Sequence, residues 1–166
     1  MSQVVALGTA IASAVVVTVA GAPAAGPVRF EAHDIEPKLP GAYAVNIADF
    51  NKDGKPDVIA NSLAARDLAW YENPTWERHV IVSDTMQIVN QAPADIDGDG
   101  IPELAFQSSF AMQAAKSEGL NWLARSQGPG QPWKAEKIDS FPTSHHIVWA
   151  DLDGDGKKEL LDRKST

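Results

Sequence analysis

Three acidic stretches of one design constrain this chain more than anything else in it. They are DFNKDGKPD from Asp49 to Asp57, DIDGDGIPE from Asp95 to Glu103, and DLDGDGKKE from Asp151 to Glu159. Together they hold 11 of the 22 acidic residues, so half of the negative charge is gathered in three short places. In a loop of this pattern the side chains at positions 1, 3 and 5 converge. Glycine at position 6 takes a backbone conformation that a β-carbon would obstruct, the carbonyl at 7 turns inward, and a carboxylate at 9 closes the shell. The expected metal ligands are therefore Asp49, Asn51, Asp53, the Lys55 carbonyl and Asp57; Asp95, Asp97, Asp99, the Ile101 carbonyl and Glu103; and Asp151, Asp153, Asp155, the Lys157 carbonyl and Glu159. An all-oxygen, flexible, multidentate set suits Ca2+ better than Mg2+ or zinc. Asp, Asn and Gly also make bare turns. A turn, however, does not need three or four carboxylates in nine residues, whose repulsion opposes folding unless a cation is present. An EF-hand is excluded, because it requires Glu at position 12, where Ala60, Phe106 and Asp162 stand, and a helix where strand-like sequence follows.

The loops sit inside a longer repeat. Asp49 and Asp95 are 46 residues apart and Asp95 and Asp151 are 56 apart, a spacing typical of sheet repeats. The extra length falls in SFAMQAAKSEG and RSQGPGQP, whose composition is that of connecting loops. Each unit reads as four short strands. A first strand (YAVNIA, HHIVWA) enters the loop, a second (DVIANS, ELAFQS) leaves it, a third follows (LAWYEN, LNWLAR), and a fourth opens with Trp (WERHVIVS, WKAEKIDS). Runs of this length, rich in β-branched and aromatic residues and bounded by Gly, Pro, Asn and Asp, favour antiparallel sheet. Four strands per unit predicts an all-β fold, a partial β-propeller of about two and a half four-stranded blades, with a solenoid or sandwich as the alternatives. FEAHDI, Phe30 to Ile35, matches the fourth-strand pattern of WERHVI and predicts an orphan outer strand. The organisation expected is a signal peptide or anchor over 1–25 and a repeat region over 28–166. The latter divides into an orphan strand at 28–38, a blade at 41–85, a blade at 87–141 and an incomplete blade at 143–166. On this reading the chain is a fragment of a larger propeller.

The acidic loops within four-strand units, together with WYEN and the WxxHxI strand, resemble the FG-GAP or VCBS repeat family of extracellular calcium-binding β-propellers. The resemblance implies a secreted calcium-binding propeller module for glycan or protein binding. The alternative it implies is a fragment of a carbohydrate-active lyase or an aldos-2-ulose dehydratase-like enzyme. Fold does not decide between them, so enzymatic activity stays open.

Composition narrows the partners. A net charge of −8 with 14 scattered basic residues excludes nucleic-acid binding, which needs clustered Lys and Arg. Cysteine is absent, so there is no disulfide framework and no thiolate chemistry. Val4 to Ala20 is uncharged and mostly apolar and is followed by GAPAAG, which reads as a secretory signal peptide with an AxA-like site or as a membrane anchor through residues 4–20. The expected location is secreted, periplasmic or extracellular. The expected partners are an extracellular glycan or protein, with self-association through open blade edges.

The candidates for catalysis are His145 and His146, in the strand before the third loop, where alternation lets only one of the two face a channel. No acid or third ligand accompanies them in the sequence, so a packed or solvated histidine is the favoured reading. His33 and His79 recur at matched places, as do Trp70, Trp76, Trp122 and Trp133. Repetition favours structural roles for these over a sugar-stacking platform.

Overall fold

The computed structural model describes residues 29–164. The chain divides into two units, with the boundary between His33 and Asp34. The expected signal peptide or anchor at 1–25 lies outside the described residues. Among those described, no helix is long and apolar enough to cross a membrane.

The second unit is all-β. Strands β1 (Ala42–Ala48), β2 (Asp57–Ser62), β3 (Asp67–Glu72) and β4 (Glu77–Ser83) form an antiparallel sheet in the order β1-β2-β3-β4. Strands β5 (Asn90–Ala94), β6 (Glu103–Ser108), β7 (Leu120–Arg125) and β8 (Lys134–Ser140) form a second in the order β5-β6-β7-β8. β9 (Ser144–Ala150) and β10 (Glu159–Lys164) make a two-stranded third. In each sheet an acidic loop joins the first two strands, pairing Ala48 with Asp57, Ala94 with Glu103 and Ala150 with Glu159 at its base.

The expected partial β-propeller is not what these strands build. The three sheets are open, and none closes on itself or into a ring. The all-β part of the reading stands and the propeller part is corrected. The physical reason is one of range: acidic turns and hairpin spacing specify which neighbouring strands pair, whereas ring closure depends on distant edges meeting, which no local pattern encodes. The orphan outer strand is corrected too. FEAHDI contains no strand, and Phe30 is 94% exposed. An isolated strand leaves its N–H and C=O groups without partners, and apolar patterning alone does not supply them.

The core lies between sheets. Phe50, Ile59, Leu68, Trp70 and Ile81 from the first sheet and its acidic loop meet Leu104, Phe106 and Ala124 from the second, with Ile88 from the connection. Ala92, Ala105 and Leu123 of the second sheet pack with Ile147 of the third. Successive strand side chains point to opposite faces, so β6 serves both layers, Leu104 and Phe106 on one side and Ala105 on the other. All six of its residues are buried. Polar bonds tie the sheets as well. Gln91 Nε2 donates to the Ala44 carbonyl (3.1 Å), Trp149 Nε1 to that of Ala92 (3.0 Å), and Asn61 Nδ2 to that of Ile88 (3.0 Å).

Candidate metal centres

The second and third loops are wound alike. Asp95 accepts the Gly98 and Gly100 N–H groups on its two oxygens (2.7 and 2.9 Å), and Asp151 does the same with Gly154 and Gly156 (2.7 and 2.9 Å). Asp97 Oδ1 accepts from Asp99 N and Asp153 Oδ1 from Asp155 N, both at 3.1 Å. The position-5 carboxylates accept the position-7 N–H groups, Ile101 to Asp99 (2.7 Å) and Lys157 to Asp155 (2.8 Å). Glycine at positions 4 and 6 permits this path, since Gly98, Gly100, Gly154 and Gly156 all have φ between 79° and 88°. The first loop differs because Lys52 stands at position 4, left-handed with φ 61°. There Asp49 takes the Asp53 N–H (3.1 Å) in place of a position-4 N–H, while Gly54 still donates to its other oxygen (2.8 Å).

Two sets of carboxylates converge. In the second loop Asp95, Asp97 and Asp99 each offer an oxygen within 4.8 Å of the others, and in the third loop Asp151, Asp153 and Glu159 do so. The remaining expected ligands are placed otherwise. Asp57 is fully buried, accepting N–H from Phe50 and Asn73 (both 2.9 Å). Burial pushes its carboxyl up from 3.8, against the two N–H groups, with the charges of Asp49 and Asp53 adding to the rise. Glu103 is buried against Ile96 N (3.0 Å) and lies 3.8 Å from Arg125 Nε. Burial raises it as well, and the neighbouring Asp97 adds to the rise. In the first two sheets the position-9 carboxylate thus braces the loop to the end of the third strand. In the two-stranded third sheet Glu159 holds Leu152 N (2.9 Å) and joins the acidic triad. Asp53 is engaged by Lys55 Nζ at 2.8 Å, whose hydrogen bond lowers the Asp53 carboxyl, and Asn51 Oδ1 accepts from Asp53 N.

The two candidate histidines are held by uncharged partners. His145 Nε2 meets Tyr43 Oη at 3.0 Å, with Phe110 edge-on to its ring, and His146 Nδ1 meets Asn90 Nδ2 at 3.2 Å. Neither has a carboxylate partner within 4.0 Å among the described residues. His79 stacks on Trp70 (4.2 Å, 18°) and bonds Glu72 at 2.9 Å, while Phe50 also stacks on Trp70 (5.6 Å, 25°). Trp70 is thereby packed and offers no stacking platform. His33 lies on an exposed stretch, 3.9 Å from Glu31.

The sequence reading missed one polar cluster. Asp162 of β10 accepts Ser144 Oγ at 2.6 Å on each oxygen, Gln107 Nε2 at 3.2 Å and Asn121 Nδ2 at 3.0 Å, and so braces the third sheet to the second. Its only signal was a carboxylate three residues beyond the third acidic loop, where the other two units have Ala60 and Phe106.

The expected function is corrected along with the fold. A calcium-binding propeller module requires a ring that the open sheets do not form. The two triads are oxygen clusters suited to a divalent metal in general, with nothing in their geometry that singles out Ca2+. Compared with known proteins, residues 49–106 match the FG-GAP-like repeat family. No curated protein matches the chain, and neither does any solved structure.

Proposed function

We propose, from the premise that residues 49–106 form an FG-GAP-like repeat, that this chain is a β-sheet repeat segment whose second and third acidic loops bind hard divalent cations. The observation that carries the reading is the convergence of Asp95, Asp97 and Asp99, with Asp151, Asp153 and Glu159 as its counterpart. The donor chemistry fits such a cation. Every candidate ligand is an oxygen, and the chain has no cysteine to favour a softer metal. The Asp95 and Asp151 carboxylates are oriented in advance by two backbone N–H groups each, so an ion would not have to order them. A bound cation would supply charge neutralisation. The chain's own part is to hold three like charges together at the end of a hairpin, which stabilises the loop only when the ion is present. The extracytoplasmic setting expected from residues 4–20 belongs to the same proposal, since free divalent calcium is abundant there.

The test is thermal unfolding of the full chain after chelator treatment, with Ca2+, Mg2+ or Mn2+ then restored one at a time. The proposal expects a rise in melting temperature with at least one of the three, and the ranking among them identifies the ion. A melting temperature indifferent to chelator and to all three ions refutes it.

A further inference from the structure

We infer that a second copy of this chain docks head to tail, laying its first sheet on the third sheet of its neighbour through apolar residues that the repeat leaves uncovered. The same joint already occurs twice within one chain. In the first acidic loop Phe50, at position 2, is buried in a cluster with Leu104 of the second sheet. In the second loop Ile96, at position 2, borders the cluster that seats Ile147 of the third sheet, as do Trp149 and Leu160. In the third loop Leu152 holds position 2 and is 63% exposed. Beside it Val148 pairs with Leu161, standing where Ala92 pairs with Ala105 in the second sheet. Ala92 and Ala105 are covered by the third sheet, whereas Val148 is exposed.

The complementary half lies open on the first sheet. Val45 and Ile47 stand four and two residues before Asp49, as Gln91 and Pro93 do before Asp95 and Ile147 and Trp149 do before Asp151. Gln91 and Ile147 are buried in the two internal joints, but Val45 is 63% and Ile47 66% exposed. Residues paired across strands share a face, so Val45 with Ala60 and Ile47 with Val58 form the side away from Ile59, which packs toward the second sheet. On that open side β3 is already covered, with Ala69 and Tyr71 buried. What remains is β1 with β2, two strands wide like the third sheet, and the four side chains carry no charge. Each free half is the repeat counterpart of a surface that the chain buries elsewhere, and one chain carries both. The fitting occupant is therefore another copy. Two different surfaces meeting in this way make a heterologous contact, which continues beyond two chains. The contact is face to face, adds no strand to either sheet and needs no ion.

The test is the mass of the full chain by sedimentation equilibrium across a range of concentrations, in chelator so that no ion can bridge acidic loops. The samples are the parent, Leu152→Gln, Ile47→Lys, and an equimolar mixture of the two variants. Both positions are exposed in the single chain, and an unchanged circular dichroism spectrum checks that the variants fold. The parent should exceed the mass of one chain and grow with concentration. Leu152→Gln spoils the third-sheet half and Ile47→Lys the first-sheet half, so each alone should associate at least about tenfold more weakly, as expected for one lost apolar anchor. Mixed, the variants keep one intact half each, so they should form a one-to-one pair with the parent's affinity and grow no further. A parent that stays a single chain even at high-micromolar concentration overturns the inference. Association that both variants retain does so too, because it then runs through residues 4–20 or strand edges, and so does a mixture that fails to pair. All of these results leave the ion-binding reading untouched.

Discussion

Replacing Asp97 by Asn reverses the sign of its own effect depending on whether ions are present. The carboxylate oxygens of Asp95, Asp97 and Asp99 lie within 4.8 Å of one another. At that separation each pair of unit charges repels by about 0.9 kcal/mol in bulk water. Physiological salt reduces this by roughly half, because the Debye length is about 8 Å. Asp97 takes part in two such pairs, so neutralising it relieves about 1 kcal/mol. The change is otherwise conservative, since Asn keeps the Oδ1 that accepts the Asp99 N–H at 3.1 Å. Without ions, then, Asp97→Asn unfolds at higher urea than the parent, and the gap narrows at high salt. With a saturating divalent ion the order inverts, because a ligand at a hundred times its Kd adds about 2.7 kcal/mol to the protein that binds it. Urea unfolding followed by tryptophan fluorescence, with chelator and with ion, measures both arms. A variant less stable than the parent in chelator, or one that keeps the same rank in both conditions, refutes the reasoning.

Three further outcomes follow from the packing and titration. Phe106→Ala removes a buried ring stacked on Trp122 and lowers stability by about 3–5 kcal/mol in denaturant titration. Gly119→Ala places a β-carbon 2.0 Å from the Phe141 carbonyl oxygen, a backbone atom that cannot step aside, and does so at φ 56°. It should cost more than about 2 kcal/mol, whereas Gly128→Ala, with open space around it and only its φ of 112° against it, costs about 1–2 kcal/mol. The Asp57 carboxyl, raised by burial, titrates above 3.8 in the ion-free protein by carboxyl-carbon NMR. Its contribution to stability is fully present below 3.8 and is lost as the pH rises through the folded value, so a midpoint below 3.8 contradicts the placement.

Much of the local structure was legible because acidic loops and turns mark where strands begin. DVIANS, ELAFQS and LNWLAR are β2, β6 and β7 residue for residue, since alternation and a preceding turn leave little freedom of register. Trp76 was expected to open a strand. It is instead a left-handed turn residue at φ 59°, and β4 begins at Glu77. NQAPA carries a proline and no β-branched residue, and becomes β5 through its pairing with β6 and the Gln91 bond to Ala44 rather than by its own propensity. The partial propeller failed for the same reason in reverse: local pattern describes hairpins and says nothing about how sheets join. Which carboxylates converge was also beyond the motif. Nine letters name the donors, but they do not show that Lys55 and Lys157 lie against Asp53 and Asp155, or that Asp57 and Glu103 are buried with Arg125 beside Glu103.

The most direct measurement is the number of divalent ions held by the full chain, read by native mass spectrometry after equilibration with each ion and removal of the excess. Two converging triads predict two ions per chain, falling to one when Asp97 is replaced by Ala. A chain that retains no ion, or a count that Asp97→Ala leaves unchanged, contradicts the account.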